Sequence, residues 1–377
     1  MSTNPFKPTA GHLPPLLVGR EPIIADFEEG LADGPGAPGR LMCVTGARGV
    51  GKTVILTEFG NIAKSHHWEV LDETASSGLA ERLVERLQPT KRQLATTIKP
   101  EITGPQGIGA SLGQISISSQ QMPLTLREAL THRLNKIEKR SKDRGLLVTV
   151  DETQAADRND LVAIATAVQH LIRENRNIAF VFAGLPTITS KWLNDELLTF
   201  LRRAQPERLA DVPLPEVETA FSNTFAQSGI TLAGNPLTEA TEATQGYPFM
   251  IQLVGYNIWR VANRHAAENP VVTEEDASKG IEDARRRLGN TVHGPELDGL
   301  SQVDRTYLLA MAKDDGPSFT AEIAKRLKQS QTYANIYRTR LLDGDFIKNA
   351  GWGRVDFAIP YLRQYLREHD AYYMQQE

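Results

Sequence analysis

Cysteine is almost absent from this sequence of 377 residues, since Cys43 is the only one. A single thiol excludes an intrachain disulfide and a cysteine-rich metal site, and it is typical of the reducing cytoplasm. Runs of eighteen apolar residues are also absent, so no transmembrane helix is predicted. Residues 1–16 contain five prolines or glycines in place of an apolar stretch, which argues against a signal peptide. We therefore expect a cytoplasmic protein with no membrane partner.

The sequence has no strong excess of charge of either sign, because its formal net charge is -4. This balance excludes a broad positive field, so binding to nucleic acid would require a local patch. Hydrophobic residues make up 40% and charged residues 23%, which excludes extended disorder and indicates a globular chain. The length is typical of two or three domains.

The sequence GARGVGKT, residues 46–53, follows the apolar run of residues 41–44 and precedes an amphipathic stretch. A strand, a glycine loop and a helix in this order are the setting that the phosphate-binding motif GxxxxGK[S/T] requires. Its glycines allow backbone amides to converge on phosphate oxygens, Lys52 neutralises the β- and γ-phosphates, and the Thr53 hydroxyl can bind Mg²⁺. The predicted ATP-binding residues of this loop are Gly46, Ala47, Arg48, Gly49, Val50, Gly51, Lys52, Thr53 and Val54.

A second apolar run, LLVTVDE at residues 146–152, ends in Asp151 and Glu152. Asp151 is the second predicted Mg²⁺ ligand, and Glu152 is predicted to orient or deprotonate the attacking water. An Asp-Glu pair that only solvates the end of a strand is the alternative interpretation. Phosphoryl transfer to a small molecule is the alternative reaction, but Glu152 favours ATP hydrolysis, with Lys52 as a further catalytic residue.

Strand and helix patterns alternate between residues 17 and 213, which predicts an ATPase core built from parallel βαβ units. Residues 97–121 interrupt this alternation as a polar, Gly-rich insertion, and residues 1–16 are predicted to form a flexible N-terminal arm. Residues 214–290 have a wholly helical pattern, which predicts a separate helical subdomain.

The remaining residues, 291–377, contain three helical patterns and then two short strands around Gly351 and Gly353. This order predicts a winged helix domain, whose third helix enters the DNA major groove. Residues 318–354 contain seven basic and three acidic residues, and this positive patch favours DNA binding. A winged helix that packs against another protein is the alternative. The predicted DNA contacts are Gln331, Asn335 and Arg338 at base edges and Lys348 and Arg354 at phosphates.

Five segments, in their order along the chain, resemble the AAA+ and STAND ATPases close to origin-recognition initiators. These segments are LLVGRE, GARGVGKT, LLVTVDE, AGLP and GYPFMIQLVGYNIW. The resemblance covers roughly residues 16–370 and implies that Val18, Gly19 and Arg20 lie by the adenine. It also implies that the helical subdomain forms a lid, with Pro248 at the nucleotide.

The same resemblance implies an arginine finger at Arg202 or Arg203, which would reach the nucleotide of a neighbouring copy. A solvated or carboxylate-paired arginine pair is the alternative. Two departures from the family pattern concern the γ-phosphate. The fourth predicted strand ends in Phe182-Ala183-Gly184 without a polar sensor, and Gly246-Tyr247-Pro248 stands where initiators carry a lid arginine. We therefore expect slow hydrolysis and a switch more than a motor.

The predicted fold class is α/β: a P-loop NTPase parallel sheet with helices on both faces, an all-α lid subdomain and a C-terminal winged helix-turn-helix. The predicted function is an ATP- and Mg²⁺-dependent switch that couples nucleotide state to double-stranded DNA binding or to oligomerisation, with a homo-oligomer or a partner protein as further partners. The alternative is a STAND-like signalling or scaffold ATPase whose winged helix binds protein and not DNA.

Overall fold

The structure is a computed structural model that describes residues 3–9, 17–88, 124–188, 195–265 and 270–374. The Gly-rich insertion predicted at residues 97–121 lies outside the described residues. The described part of the chain contains no helix that is both long enough and apolar enough to cross a membrane.

Five parallel strands form one sheet in the order β2-β3-β4-β1-β5. The strands are β1 Leu41–Gly46, β2 Glu69–Thr74, β3 Leu146–Asp151, β4 Ile178–Gly184 and β5 Gln205–Leu209. The predicted parallel sheet is therefore confirmed. The sequence reasoning missed β5, because this strand lies at the edge of the sheet and its sequence QPERL is polar.

Helices cover both faces of this sheet, which the sequence also predicted. The helices that accompany it are α1 Glu21–Asp33, α2 Lys52–Ser65, α3 Leu79–Leu87, α4 Leu126–Glu138 and α5 Arg158–Arg173. Successive residues of a strand point to opposite faces. In β1, Met42 and Val44 pack with Phe59 of α2, whereas Leu41 and Cys43 pack with the side of the sheet that α3 to α5 cover. Both faces of the sheet are covered, and the central strands β1, β3 and β4 are accordingly largely apolar.

The described residues of the helical segment, 214–265 and 270–288, form four helices. They are α6 Leu214–Gln227, α7 Asn235–Thr244, α8 Pro248–Ala262 and α9 Glu274–Leu288. Helix α9 lies so close to α8 that a Cβ atom on Gly280 would approach the backbone of Ile258 within 2.8 Å. Pro248 begins α8, where its missing amide hydrogen costs no hydrogen bond.

The C-terminal segment, residues 294–374, contains helices and a small antiparallel sheet of order β6-β8-β7. The strands are β6 Ser318–Phe319, β7 Ile347–Asn349 and β8 Arg354–Phe357. The helices are α10 Gly294–Asp298, α11 Gln302–Ala312, α12 Thr320–Arg326, α13 Gln331–Asp343, α14 Leu362–Glu368 and α15 Asp370–Met374. Three helices followed by a two-stranded hairpin occur in the predicted order.

Residues 3–9, which belong to the stretch that the sequence predicted as a flexible arm, pack against the helical segment. The ring of Phe6 is buried, and its centroid lies 5.3 Å from that of Phe225. The Lys7 amide donates to the side-chain oxygen of Gln252 in α8 at 3.0 Å. A Cβ atom on Gly255 would lie 2.4 Å from the Phe6 ring, so glycine makes this approach possible. One buried aromatic ring therefore fixes a stretch whose composition is typical of a loose chain.

Phe6→Ala is expected to lower the free energy of unfolding by about 3–5 kcal/mol, because it empties a buried aromatic site. Denaturant unfolding measures this change. Phe319→Ala is the matched control, since Phe319 is 45% exposed, and it should cost less than about 1 kcal/mol. Equal losses for the two variants would contradict the packing of residues 3–9.

Candidate nucleotide-binding site

The loop between β1 and α2, residues 46–51, contains two glycines in the left-handed region, Gly49 at φ 75° and Gly51 at φ 97°. L-residues other than glycine rarely adopt these angles. Helix α2 starts directly afterwards at Lys52. The free backbone amides of α2 and the positive end of its dipole therefore lie at the loop, an arrangement that binds phosphate.

Lys52 is buried beside this loop, with 7% of its surface exposed. Its ammonium group donates to the carbonyl oxygens of Gly46 at 2.9 Å and Ala47 at 2.8 Å. Burial lowers the pKa of Lys52, and the carboxylates of Glu152, Asp151 and Asp345 oppose that shift in this order. The protein thus compensates the positive charge of Lys52 only in part.

The acidic pair predicted at the end of β3 lies beside the loop. The Thr53 hydroxyl donates to Asp151 Oδ2 at 2.6 Å, so the two predicted Mg²⁺ ligands are in direct contact. Both offer oxygen atoms, which are the ligands that Mg²⁺ prefers. No cluster of three or more His, Cys, Asp or Glu side chains suited to a metal occurs in the described residues.

Glu152 follows Asp151 in the left-handed conformation at φ 50°. Its side chain lines the cavity above the loop and accepts a hydrogen bond from Gln154 Nε2. The other end of the Gln154 amide accepts from the Leu185 backbone amide at 3.1 Å, just after β4. Gln154 therefore connects the predicted water-activating carboxylate to the end of β4.

Gln154 also explains the glycine at the end of β4. A Cβ atom on Gly184 would lie 2.4 Å from Gln154 Oε1 and 2.1 Å from Ile188 Cδ1. The end of β4, where the predicted polar sensor is missing, is therefore contacted by the side-chain amide of Gln154, which lies on the short 3-10 helix Thr153–Ala155 after β3. The sequence reasoning missed Gln154, because its role depends on contact with a residue 31 positions away.

A cavity of about 700 Å³ lies above the loop, between the sheet edge, the helical segment, residues 7–9 and residues 291–296. This volume is typical of small-molecule sites. The predicted residues that line it are Val18, Arg20, Arg48, Gly49, Val50, Gly51, Lys52, Thr53, Val54, Glu152 and Pro248. The predicted nucleotide-binding residues are thus largely gathered around one cavity.

Arg20 and Gly19, predicted to lie by the adenine, are held at the entrance to α1. Arg20 donates to the carbonyl oxygens of Val50 at 3.2 Å and Ala210 at 2.8 Å. Gly19 has φ 68°, so this turn favours glycine. Arg20 therefore connects the segment before α1 to the phosphate loop and to Ala210, the residue after β5.

Tyr247 is a further residue at the loop. Its hydroxyl donates to the Arg48 carbonyl at 2.9 Å, and a Cβ atom on Gly49 would lie 1.8 Å from that hydroxyl. The helical segment therefore touches the backbone of the phosphate loop directly. The motif Gly246-Tyr247-Pro248 was noted in the sequence, but no pattern indicated which of its residues makes the contact.

Arg202 and Arg203 lie on a short 3-10 helix, Leu201–Arg203, immediately before β5. Both are exposed, Arg202 donates to the Asp195 carbonyl at 3.2 Å, and neither is among the residues that line the cavity. An arginine finger acts on a neighbouring copy, so its assignment stays a prediction.

The five predicted DNA contacts lie on α13 and the hairpin. Gln331, Asn335 and Lys348 are exposed. Arg338 donates to the Asn349 side chain at 2.6 Å, and the Arg354 guanidinium lies 4.1 Å from the Phe319 ring centroid. Two of the five are therefore held in place by neighbouring side chains.

Two protein families match separate parts of the chain. Residues 16–181 match the AAA ATPase domain family, and residues 290–366 match a domain of unknown function (DUF8462). No curated protein matches the sequence.

Two solved structures have similar folds over nearly the whole chain. The Walker-type ATPase of Pyrococcus abyssi is 18% identical and aligns over 93% of this chain and 96% of its own, with a TM-score of 0.65. The ORC2 protein of Aeropyrum pernix, solved as ADPNP-ADP complexes, is 13% identical over 97% and 98% of the two chains, with a TM-score of 0.62. At these identities the likeness establishes the fold.

The parallel sheet, the phosphate loop after β1 and the acidic pair after β3 are the features of a P-loop nucleotide-binding fold. The match of residues 16–181 indicates that this part of the chain is an AAA ATPase domain. The rest of the chain lies outside that match.

Lys52→Ala is expected to abolish ATP binding, because it removes the ammonium group from the phosphate loop. Glu152→Gln should retain binding and lose turnover by about 10²–10⁴-fold, as for the loss of a general base. Calorimetry measures the binding and phosphate release measures the turnover, with the exposed Glu81→Gln as the control. Normal hydrolysis by Glu152→Gln would mean that another group activates the water.

Gln154→Ala is expected to lower kcat about tenfold and to leave the Kd for ATP nearly unchanged. A hydrogen bond to a charged group contributes about 1.5–3 kcal/mol, and about 1.4 kcal/mol corresponds to tenfold. Steady-state kinetics beside equilibrium binding separates the two effects, and the exposed Gln302→Ala is the control. A changed Kd with an unchanged kcat would mean that Gln154 serves the nucleotide and not Glu152.

Proposed function

We propose that this ATPase is a switch in which the C-terminal segment responds to the nucleotide state of the phosphate loop. The observation that carries the proposal is a contact made by Arg48, inside the loop. Its guanidinium donates to the Glu296 carboxylate in α10 and lies 5.8 Å from the centroid of the Phe346 ring. A rearrangement of the loop on nucleotide binding would therefore move a residue that the C-terminal segment holds.

The strength of this contact suits a switch. A partly exposed ion pair contributes about 0–1 kcal/mol, and a cation–π contact at such a site contributes about 0.5–1 kcal/mol. A ligand at a hundred times its Kd contributes about 2.7 kcal/mol to the state that binds it. Nucleotide binding is thus strong enough to break the Arg48 contacts, and their loss does not threaten the fold.

The proposed reaction is ATP hydrolysis. Glu152 takes a proton from the attacking water, and Lys52 stabilises negative charge on the phosphates. Mg²⁺, held by Thr53 and Asp151, would supply further positive charge at the phosphates. Because β4 ends without a polar side chain, we infer that turnover is slow.

We further propose that residues 291–377 form a winged helix domain that binds double-stranded DNA, behind an ATPase core at 17–213 and a lid at 214–290. Exposed Gln331 and Asn335 on α13 support this, and so does Trp352, which is 98% exposed at the tip of the hairpin. Aromatic and cationic groups on one hairpin are typical of a surface that contacts nucleic acid.

The position of Lys348 supports a link between the DNA surface and the core. Burial raises the pKa of Asp211, a core residue near the loop, and the positive charges of Lys348 and Arg20 oppose that rise. The positive charge of Lys348 therefore acts on this carboxylate. A DNA phosphate would compete with Asp211 for that charge, so we propose that DNA binding favours separation of the two segments.

Arg338→Glu combined with Arg354→Glu is expected to abolish retardation of a DNA duplex in a gel, while ATP binding is retained. Two charge reversals on one surface remove phosphate contacts and add repulsion. The matched control is Arg140→Glu combined with Arg173→Glu, because both arginines are exposed on the ATPase core, away from the C-terminal segment in sequence. Absence of retardation by the native chain at low salt would contradict DNA binding and favour a winged helix that binds protein.

The coupling is tested in the same assay. Glu296→Gln weakens the Arg48 contact, so it should reduce the difference between retardation with and without ATP. Retardation that is identical with and without nucleotide in the native chain would contradict the switch, even if DNA is bound.

A further inference from the structure

Tyr247 places a hydroxyl group against the backbone of the phosphate loop. Its side chain is 2% exposed, and the hydroxyl donates to the Arg48 carbonyl at 2.9 Å. Burial raises the pKa of Tyr247, so the hydroxyl keeps the proton that it donates. This contact joins the helical segment to the loop across 199 positions of sequence.

The backbone around Tyr247 holds this hydroxyl in position. The Tyr247 amide donates to the Thr244 carbonyl at 2.9 Å, and the Tyr247 carbonyl accepts from the Ile251 amide at 2.9 Å in the first turn of α8. The carbonyl of the preceding residue, Gly246, accepts from the Val212 amide at 2.7 Å. A Cβ atom on Gly246 would lie 2.3 Å from the Val212 carbonyl oxygen, so this approach requires glycine. Tyr247 therefore contacts the loop from a fixed position.

The Arg48 carbonyl belongs to the same peptide group as the Gly49 amide. No cis peptide bond occurs in the described residues, and the C=O and N–H bonds of a planar trans peptide point in opposite directions. The Gly49 N–H therefore points away from Tyr247. This N–H has no acceptor in the described part of the chain, and Gly49 lines the cavity above the loop. The Gly49 amide is thus free to donate to a phosphate.

The orientation of this peptide group decides whether it helps to bind phosphate. Backbone amides that converge on the ligand create the site, whereas a carbonyl oxygen in the same place would repel an anion. Gly49 has φ 75°, and glycine adopts either sign of φ at little cost, so the peptide itself offers little resistance to rotation. The hydrogen bond from Tyr247 supplies that resistance, because rotation would take the Arg48 carbonyl away from its donor.

We propose that Tyr247 is a positioning residue whose hydroxyl holds the peptide between Arg48 and Gly49 with its amide facing the phosphates of the nucleotide. Arg48 is then held at two points, by Tyr247 at its carbonyl and by Glu296 at its guanidinium. Release of the guanidinium on nucleotide binding leaves the peptide group in place. The proposal rests on the nucleotide site proposed above, and it does not depend on DNA.

Tyr247→Phe removes one oxygen atom and keeps the ring against Gly49. We expect the Kd for adenylyl imidodiphosphate and for ADP to rise about fivefold, the factor that corresponds to about 1 kcal/mol for one hydrogen bond. The kcat at saturating ATP should change by less than about twofold, because only binding is affected. Calorimetry and phosphate release measure the two constants. Tyr256→Phe, at a half-buried tyrosine in α8, is the matched control and should change neither.

Inorganic pyrophosphate separates an action on the loop from other effects of the helical segment. It binds through phosphate groups alone, so its Kd should rise in Tyr247→Phe by the same factor as that of ADP. An unchanged Kd for pyrophosphate would overturn the proposal, because the hydroxyl would then serve another part of the nucleotide. An unchanged Kd for both nucleotides would overturn it as well.

Thermal unfolding without nucleotide tests whether the Tyr247→Phe chain folds, and Tyr247→Leu replaces it if it does not. These measurements need no DNA, so failure of DNA binding would leave this proposal standing. Failure of Lys52→Ala to affect binding would instead remove the nucleotide site on which both proposals depend.

Discussion

The buried ammonium group of Lys52 constrains everything around it. A cation taken out of water must be compensated by nearby oxygen atoms or negative charge, and in this protein the compensation comes from several distant parts of the chain. Carbonyls of the loop itself bind the group directly, while carboxylates after β3 and before β7 act on it from further away. A phosphate supplies the same compensation, so ligand and protein compete for one cation.

This competition explains why so many elements meet at one cavity. Tyr247 from the helical segment and Glu296 from the C-terminal segment both contact Arg48, at its carbonyl and its guanidinium respectively. The buried Phe6 holds the N-terminal residues against the same helical segment. The phosphate loop is therefore bounded by elements that are more than 190 residues away in sequence, and its conformation cannot change independently of theirs.

The local parts of this arrangement follow from sequence patterns, and the long-range parts do not. The loop, β3 with Asp151 and Glu152, and the C-terminal helices are specified by spacing and periodicity, which reflect nearest neighbours. Strand β5 was not predicted because a polar strand at the edge of a sheet has no run of apolar residues. Gln154 was not predicted because its contacts depend on which atoms the fold brings opposite it. The packing of Phe6 was not predicted because a single aromatic residue in a proline-rich stretch has no periodicity.

The contact between Arg48 and Glu296 would also allow the C-terminal segment to act on the phosphate loop. Coupling between two sites is reciprocal, so each site changes the affinity of the other by the same factor. Suppose that a molecule binds the C-terminal segment and draws Glu296 away from the loop. The factor by which this molecule changes the affinity for nucleotide must then equal the factor by which nucleotide changes the affinity for the molecule. The identity of the bound nucleotide in a cell would then report which partner the C-terminal segment holds.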